Sequence, residues 1–205
     1  MAGQVFSRGF FGKRRTPEQG QRTPPGQYIT PDFPVLSVGP TPRIPLGEWN
    51  FYIKGLNQKP VQWSWDDFIQ LPAKSFKVDI HCVTKWTKLD TEWEGVSVDT
   101  LLSKVGLDSR ASYVTVFSYG DYTTNLPLAD LMNDQAFIAY RYGGQPLAPE
   151  HGGPARLVVP HLYLWKSAKW VNGFQMMEHD ISGFWESLGY HNYGDPWKEQ
   201  RYQGD

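Results

Sequence analysis

From Trp49 onward no regular pattern in this chain runs far before a glycine or proline interrupts it, and that punctuation most narrows the fold. Trp49 to Lys54 is aromatic and branched and ends at Gly55, a strand pattern. Ser64 stands as an N-cap, with Asp66 and Asp67 in the first turn of a short helix reaching about Leu71 before Pro72. Phe76 to Cys82 alternates Phe76, Val78, Ile80 and Cys82 with Lys77, Asp79 and His81. That predicts a half-buried strand with Cys82 on the apolar face and His81 on the other. Asp99 to Val105 predicts a second short helix, closed by Gly106. Strands are also expected at Tyr113–Phe117, Ala136–Tyr142, Arg156–Val159 and Lys169–Glu178, whereas the tail from Gly183 has no clear period. There is no internal repeat and no boundary inside 47–205, so the expectation is α+β: one strand-rich mixed domain.

The N-terminal region differs in character. Eight of the 16 prolines lie between Pro17 and Pro45, a density that prevents continuous helix and favours extended geometry. Residues 1–22 carry Arg8, Lys13, Arg14, Arg15 and Arg22 against Glu18 alone, a local charge of +4 in a chain of net charge -1. Residues 1–30 are read as a basic, proline-containing arm and 31–205 as the folded domain. Within the arm, residues 1–22 are expected as a mobile tail, which Phe10 and Phe11 could dock on the body. Arg14-Arg15 is followed by polar residues and not by an apolar stretch, so no export signal is read and a cytoplasmic protein is expected. The chain has no 18-residue apolar run, which argues against a membrane-spanning helix. Its 20 Lys and Arg against 21 Asp and Glu argue against a dedicated nucleic-acid binder. A single cysteine excludes an intramolecular disulfide and any zinc site needing two Cys ligands.

Three patches hold residues able to carry chemistry. Cys82 sits where a strand gives way to an irregular stretch, His81 to Thr87, and strand ends opening onto loops are where sites are built. As a lone buried Cys it reads as a small hydrophobe; with Lys85 and His81 beside it, it reads as a thiol drawn toward thiolate, the form needed by a nucleophile or a metal ligand. The second patch is His151-Gly152-Gly153-Pro154-Ala155-Arg156 followed by Lys166-Ser167-Ala168-Lys169. Three cations, a hydroxyl and an imidazole around a short apolar strand suggest anion binding, with solvated strand-end charges as the plainer account. The third, Ser118 to Asn125, is a hydroxyl-rich turn fit to line a pocket or to decorate a hairpin. His161, His179 and His191 show no ligand spacing, and no G-x-G-x-x-G appears, so nothing suggests that the chain binds NAD or FAD.

In this order the patches resemble the catalytic domain of the sulfite oxidase family of molybdenum enzymes, most closely its short bacterial members of uncertain substrate. The resemblance rests on Cys82-Val83-Thr84-Lys85-Trp86 with Trp93-Glu94-Gly95-Val96, then Tyr122 through Leu128, His151 through Pro160, Lys166 through Val171, Gly183 through Glu186, and Asp195-Pro196-Trp197, roughly residues 30–205. It implies a metal ligand in Cys82, whose soft thiolate suits a molybdenum already held by the dithiolene of a molybdopterin in its plain form. It implies that His151, Arg156, Lys166, Ser167 and Lys169 contact the pterin and its phosphate. Tyr122 would face the substrate oxyanion.

The implied activity is oxygen-atom or two-electron transfer on a small substrate of sulfite, sulfoxide or N-oxide type. Sulfite oxidases carry arginines soon after the ligand cysteine, where Lys85 is here the only nearby cation, and the related sulfoxide reductases have an acidic residue where Thr84 stands. The length leaves no room for a haem domain, so a separate electron-transfer protein is expected. Two rivals stand beside this reading: an enzyme using Cys82 as nucleophile with a histidine such as His151, and a cofactor-free binding domain of the same fold.

Overall fold

The computed structural model describes residues 16–205 and follows the punctuation of the sequence closely. In chain order come α1 (Pro17–Gln21), β1 (Tyr28–Ile29), β2 (Asn50–Gly55), β3 (Val61–Ser64), α2 (Trp65–Ile69), β4 (Lys74–His81), β5 (Trp86–Ser97), α3 (Val98–Leu102), β6 (Tyr113–Ser118), β7 (Thr123–Pro127), β8 (Phe137–Tyr142), β9 (Gln145–Pro146), β10 (Arg156–Val158), β11 (Val171–Met177) and α4 (Phe184–Ser187). The strands form two sheets. One runs β1-β5-β8-β10, with β4 on the far side of β5 and β9 beside β8; the other runs β3-β2-β11-β6-β7. β11 lies parallel to β2 and β1 parallel to β5, and the remaining pairs are antiparallel. The α+β, strand-rich architecture expected from the sequence is the one observed.

Local chemistry accounts for the elements. Ser64 caps α2 by accepting from the Asp67 amide, and the Asp67 carboxylate answers at the Ser64 amide, a reciprocal capping box. The expected strands appear within one or two residues of their predicted ends. β5 was not foreseen, although Lys88, Asp90, Glu92 and Glu94 alternate with Leu89, Thr91, Trp93 and Gly95. Its buried members include a threonine and a glycine, which carry little apolar signal. β7 falls in the hydroxyl-rich turn read as lining a pocket or decorating a hairpin, and it is the second half of a hairpin with β6.

The main core packs Trp49, Phe51, Phe68, Val116, Leu157 and Phe174 among others between the sheets and short helices. A smaller cluster of Ile80, Cys82, Trp86, Trp93, Phe137 and Val158 lies within the β5 sheet. The two clusters meet along β10, where Leu157 and Val158 point into different ones. That places the strand carrying Arg156 between the two cores.

Part of the segment expected as a basic tail is described, and it contacts the body. Thr16 caps α1, and Arg22 forks onto Asp79 at 2.6 and 2.8 Å and reaches Asp90 at 3.0 Å. Arg8, Phe10, Phe11, Lys13, Arg14 and Arg15 lie outside the described residues.

One position tests the pairing of β5 with β8. The register shifts between Glu94 and Gly95, and a Cβ on Gly95 would lie 2.1 Å from the Ile138 carbonyl oxygen. Backbone cannot yield as a side-chain end can. Gly95→Ala should therefore destabilise the protein by roughly 3 kcal/mol or more, read as a lowered urea midpoint.

Candidate active site

Cys82 stands at the first position of a tight turn joining β4 to β5, not in an irregular stretch. The turn is closed by the Lys85 amide donating to the Cys82 carbonyl at 3.0 Å, and the Cys82 amide donates to Trp86 at 2.9 Å. Lys85 takes φ +73° to complete it. The thiol is buried and accepts a hydrogen bond from the Thr84 hydroxyl at 3.1 Å.

Two expectations fail here. His81 was placed on the solvent face, yet it is buried like Ile80 and Cys82 on either side of it. The β4–β5 register shifts between Val78 and Ile80, which breaks the strict alternation, and Tyr163 bridges to His81 from the other side. His81 and Lys85 were also expected to draw Cys82 toward thiolate. Burial instead pushes the Cys82 thiol up, opposed by hydrogen bonds from Thr84 and Val83 and by the charge of Lys169. His81 itself is pushed down to about 4 by burial, so it is neutral at pH 7 and offers no charge.

A cavity of about 420 Å³ is lined by Tyr122, Arg156, Ser167 and Lys169 from the predicted set, with Trp165, Trp170 and Trp185 in its walls. Its remaining side is the extended segment through Leu36, Val38 and Pro40, whose wall role the proline pattern alone did not reveal. Arg156, 2% exposed, projects from β10 with its guanidinium over the Trp93 ring. It donates to the carbonyls of His151 at 2.9 Å and Ser167 at 2.8 Å. Lys169 donates to the carbonyls of Leu36 and Glu150 and to the Ser37 hydroxyl. Among the described residues neither cation has a carboxylate within ion-pair distance. Burial lowers Arg156 to about 10, and burial together with Arg156 lowers Lys169 to about 8.

Between the two cations runs Gly152, at φ +106°, where a Cβ would meet Arg156 and Lys169 at 3.0 Å. Only glycine lets the loop lie that close. His151, half-buried, stacks on Phe33 with ring centres 4.1 Å apart, and its buried Nδ1 has no hydrogen-bond partner among the described residues. Burial lowers its pKa, followed by Arg156 and Lys169.

Lys166 takes a different place from the one expected. Its ammonium points into the interior, where it spends its three protons on the Asn125 carbonyl at 2.8 Å, Asn125 Oδ1 at 3.0 Å and Glu186 Oε1 at 2.6 Å. Glu186 Oε1 also accepts from Thr124 Oγ1 and Trp165 Nε1, both at 3.0 Å. Glu186 was quoted in the sequence only as part of a motif; nothing in its neighbours' pattern marks it as the counter-ion of a lysine twenty residues earlier. The Ser167 hydroxyl accepts from the Val159 amide at 2.9 Å, and the residue itself lines the cavity. Tyr122 donates to the Trp165 carbonyl, and burial followed by the nearby Glu186 charge holds its pKa well above the usual phenol value.

The donor set fits an anionic, sulfur-bearing pterin. Two cations line the cavity without a carboxylate partner among the described residues, and the glycine at 152 allows close backbone approach; Cys82, the one soft thiol, is buried nearby and is not itself among the lining residues, nor are His151 and Lys166. Among the described residues no cluster of three or more His, Cys, Asp or Glu is placed to hold a metal, so a metal here would rest on Cys82 and on ligands brought with it.

Comparison with known proteins adds the following. The family model described as "Oxidoreductase molybdopterin binding domain" matches residues 38–185. "Uncharacterized oxidoreductase YuiH" of Bacillus subtilis (strain 168) is 44% identical over 197 residues, covering 96% of this chain and 100% of that protein. "Protein-methionine-sulfoxide reductase catalytic subunit MsrP" of Gluconobacter oxydans (strain 621H) is 27% identical over 164 residues, 71% of this chain and 52% of that one. The solved sulfane dehydrogenase SoxCD of Paracoccus pantotrophus shares the fold with a TM-score of 0.64 at 21% identity, over 69% of this chain and 41% of that chain.

Two measurements probe this geometry. Lys166→Met leaves the Glu186 carboxylate buried without its cation and should cost about 3–5 kcal/mol in urea unfolding, with Glu186→Gln in the same chain restoring part of the loss. Lys169 is cationic below about 8 in the free cavity. Affinity of cofactor-free protein for inorganic phosphate should therefore fall as pH rises from 7 to 9. In Lys169→Met it should be weaker throughout and lose that fall; binding is read by calorimetry at each pH.

Proposed function

The chain belongs to the oxidoreductase molybdopterin-binding domain family and is a molybdopterin-dependent oxidoreductase of the sulfite oxidase-like kind, and on that premise we propose how its residues divide the work. Cys82 is the one protein ligand to molybdenum, and Arg156 and Lys169 hold the anionic end of the pterin. The observation that carries this reading is the buried guanidinium of Arg156, which faces the cavity with carbonyl partners and no carboxylate. A buried charge without a counter-ion is expensive, and an arriving phosphate would relieve it.

The cofactor, when bound, supplies the two-electron redox change and the site of oxygen-atom transfer. The protein's own residues do the rest. Lys169 adds a second positive charge, and its competing partners are two carbonyls and a hydroxyl that a phosphate oxygen can replace. His151 offers its unpartnered Nδ1 as an acceptor or donor to the pterin edge. Ser167 holds Arg156 through its carbonyl. Tyr122 keeps its proton at any ordinary pH and can turn it from the Trp165 carbonyl toward a substrate oxygen. Trp165, Trp170 and Trp185 exclude water from the cavity.

The substrate we propose is a small S-oxide or N-oxide. The name of the Gluconobacter relative supports the sulfoxide class. Electrons are exchanged with a separate protein, in keeping with a relative named as a catalytic subunit.

Protein made in a host that synthesises molybdopterin should carry about one molybdenum per chain, with a visible absorption band from thiolate-to-metal charge transfer. Cys82→Ser should abolish turnover of S-oxides and remove that band. Folded, colourless, metal-free protein from such a host would overturn the reading and favour the cofactor-free domain. Rapid alkylation of Cys82 in active enzyme would favour the nucleophile.

A further inference from the structure

Gln27 lies outside residues 38–185 and in the segment read from the sequence as an arm, yet it is buried against the turn that carries Cys82. Its Nε2 donates to the Cys82 carbonyl at 3.1 Å. That carbonyl also accepts from the Lys85 amide, so both of its lone pairs are used. The neighbouring residues of the arm grip the other side of the same turn. The Tyr28 amide donates to the Lys85 carbonyl at 2.8 Å and the Thr30 amide to the Thr87 carbonyl at 3.0 Å.

The direction of every bond in this cluster follows from one fact. A carbonyl can only accept, so the carboxamide must present its NH₂ to Cys82 and its oxygen to Thr87. The Thr87 hydroxyl lies 3.3 Å from Gln27 Oε1 and must donate its single proton there. It then has only lone pairs for His81 Nδ1 at 2.9 Å, so that nitrogen carries the imidazole proton. The chain of donors thus runs from His81 to Thr87 to Gln27 to the Cys82 carbonyl, and the Tyr163 phenol also meets the Gln27 side chain.

We infer that Gln27 is a positioning residue for Cys82: it fixes the peptide from which the sulfur projects and so sets the thiolate's direction toward the metal. The inference rests on the reading of Cys82 as the molybdenum ligand, and its test has one readout that does not need the metal. In cofactor-free protein, the rate of Cys82 alkylation by iodoacetamide at one fixed pH reports how firmly the turn is held. In loaded protein, the thiolate-to-molybdenum absorption band reports the sulfur's orientation.

Gln27→Met keeps the side chain's length and removes its hydrogen bonds to the Cys82 carbonyl and the Thr87 hydroxyl. It should raise the alkylation rate about fivefold, the factor that one lost hydrogen bond represents, and shift the band in loaded protein. Thr87→Val frees the carboxamide to turn and should change both readouts in the same direction by less. Arg22→Ala loosens the same arm at Asp79 and Asp90, away from the turn. It should lower the melting temperature and leave both readouts where they are. Unchanged alkylation in Gln27→Met overturns the inference, as does an equal change in Arg22→Ala. Should Gln27→Met not fold, unchanged readouts in Thr87→Val overturn it. If no variant and no parent protein takes up molybdenum, the proposed function fails, while the alkylation rates still decide the role of Gln27.

Discussion

A guanidinium sealed from water, with peptide carbonyls as its only hydrogen-bond partners among the described residues, is the constraint around which this structure is arranged. Arg156 draws the carbonyl of His151 from one loop and that of Ser167 from another, and so ties both loops to β10. Gly152 is required because the first loop must pass within reach of both the Arg156 side chain and the Lys169 backbone. Each hydrogen bond to a carbonyl satisfies a proton and leaves the charge uncancelled. The fold thereby keeps a positive potential in a cavity walled by tryptophans, where low polarity makes it act strongly on an anion.

The contrast with Lys166 shows that this is a property of particular positions and not of a basic sequence run. Lys166 and Lys169 lie three residues apart on either side of a short turn, and both are pushed down by burial. Lys166 points inward and meets a carboxylate; Lys169 points to the cavity and meets only carbonyls and a hydroxyl. The first therefore holds the wall together, through Glu186, Thr124 and Trp165, and the second remains available to a ligand. Since Tyr122 hangs its hydroxyl on the Trp165 carbonyl, the internal ion pair reaches the cavity through the residue it orients.

This difference marks how far the sequence was legible. Short strands and the capped α2 were readable because their signals are local: alternation, a capping serine, a glycine or proline at the end. β5 was not, since its buried face includes Thr91 and Gly95, whose fitness for burial depends on the neighbouring strand. Tyr122, Arg156, Ser167 and Lys169 could be grouped as one candidate site by their order along the chain, and the fold does bring them to one cavity. The inward turn of Lys166 was out of reach, because its partner Glu186 lies in a tail without periodicity. The burial of His81 was hidden by a register shift, which no count of alternating residues detects.

Gln27 and Glu186 share a further property. Both lie outside residues 38–185, and both place a buried polar group against the site, one behind Cys82 and one behind Trp165. A strand turn and a 3-10 turn are weakly held by their own few hydrogen bonds, so their positions need support from elsewhere in the chain. Here the support comes from both ends: β1 lies along the Cys82 turn as a short parallel strand, and α4 carries Glu186 beneath the Trp165–Lys166 turn. The two elements that present the thiol and the cavity wall are thus each backed by a terminal segment. It follows that the geometry of the site depends on two buried polar residues, Gln27 and Glu186, that lie outside residues 38–185 and line no part of the cavity themselves.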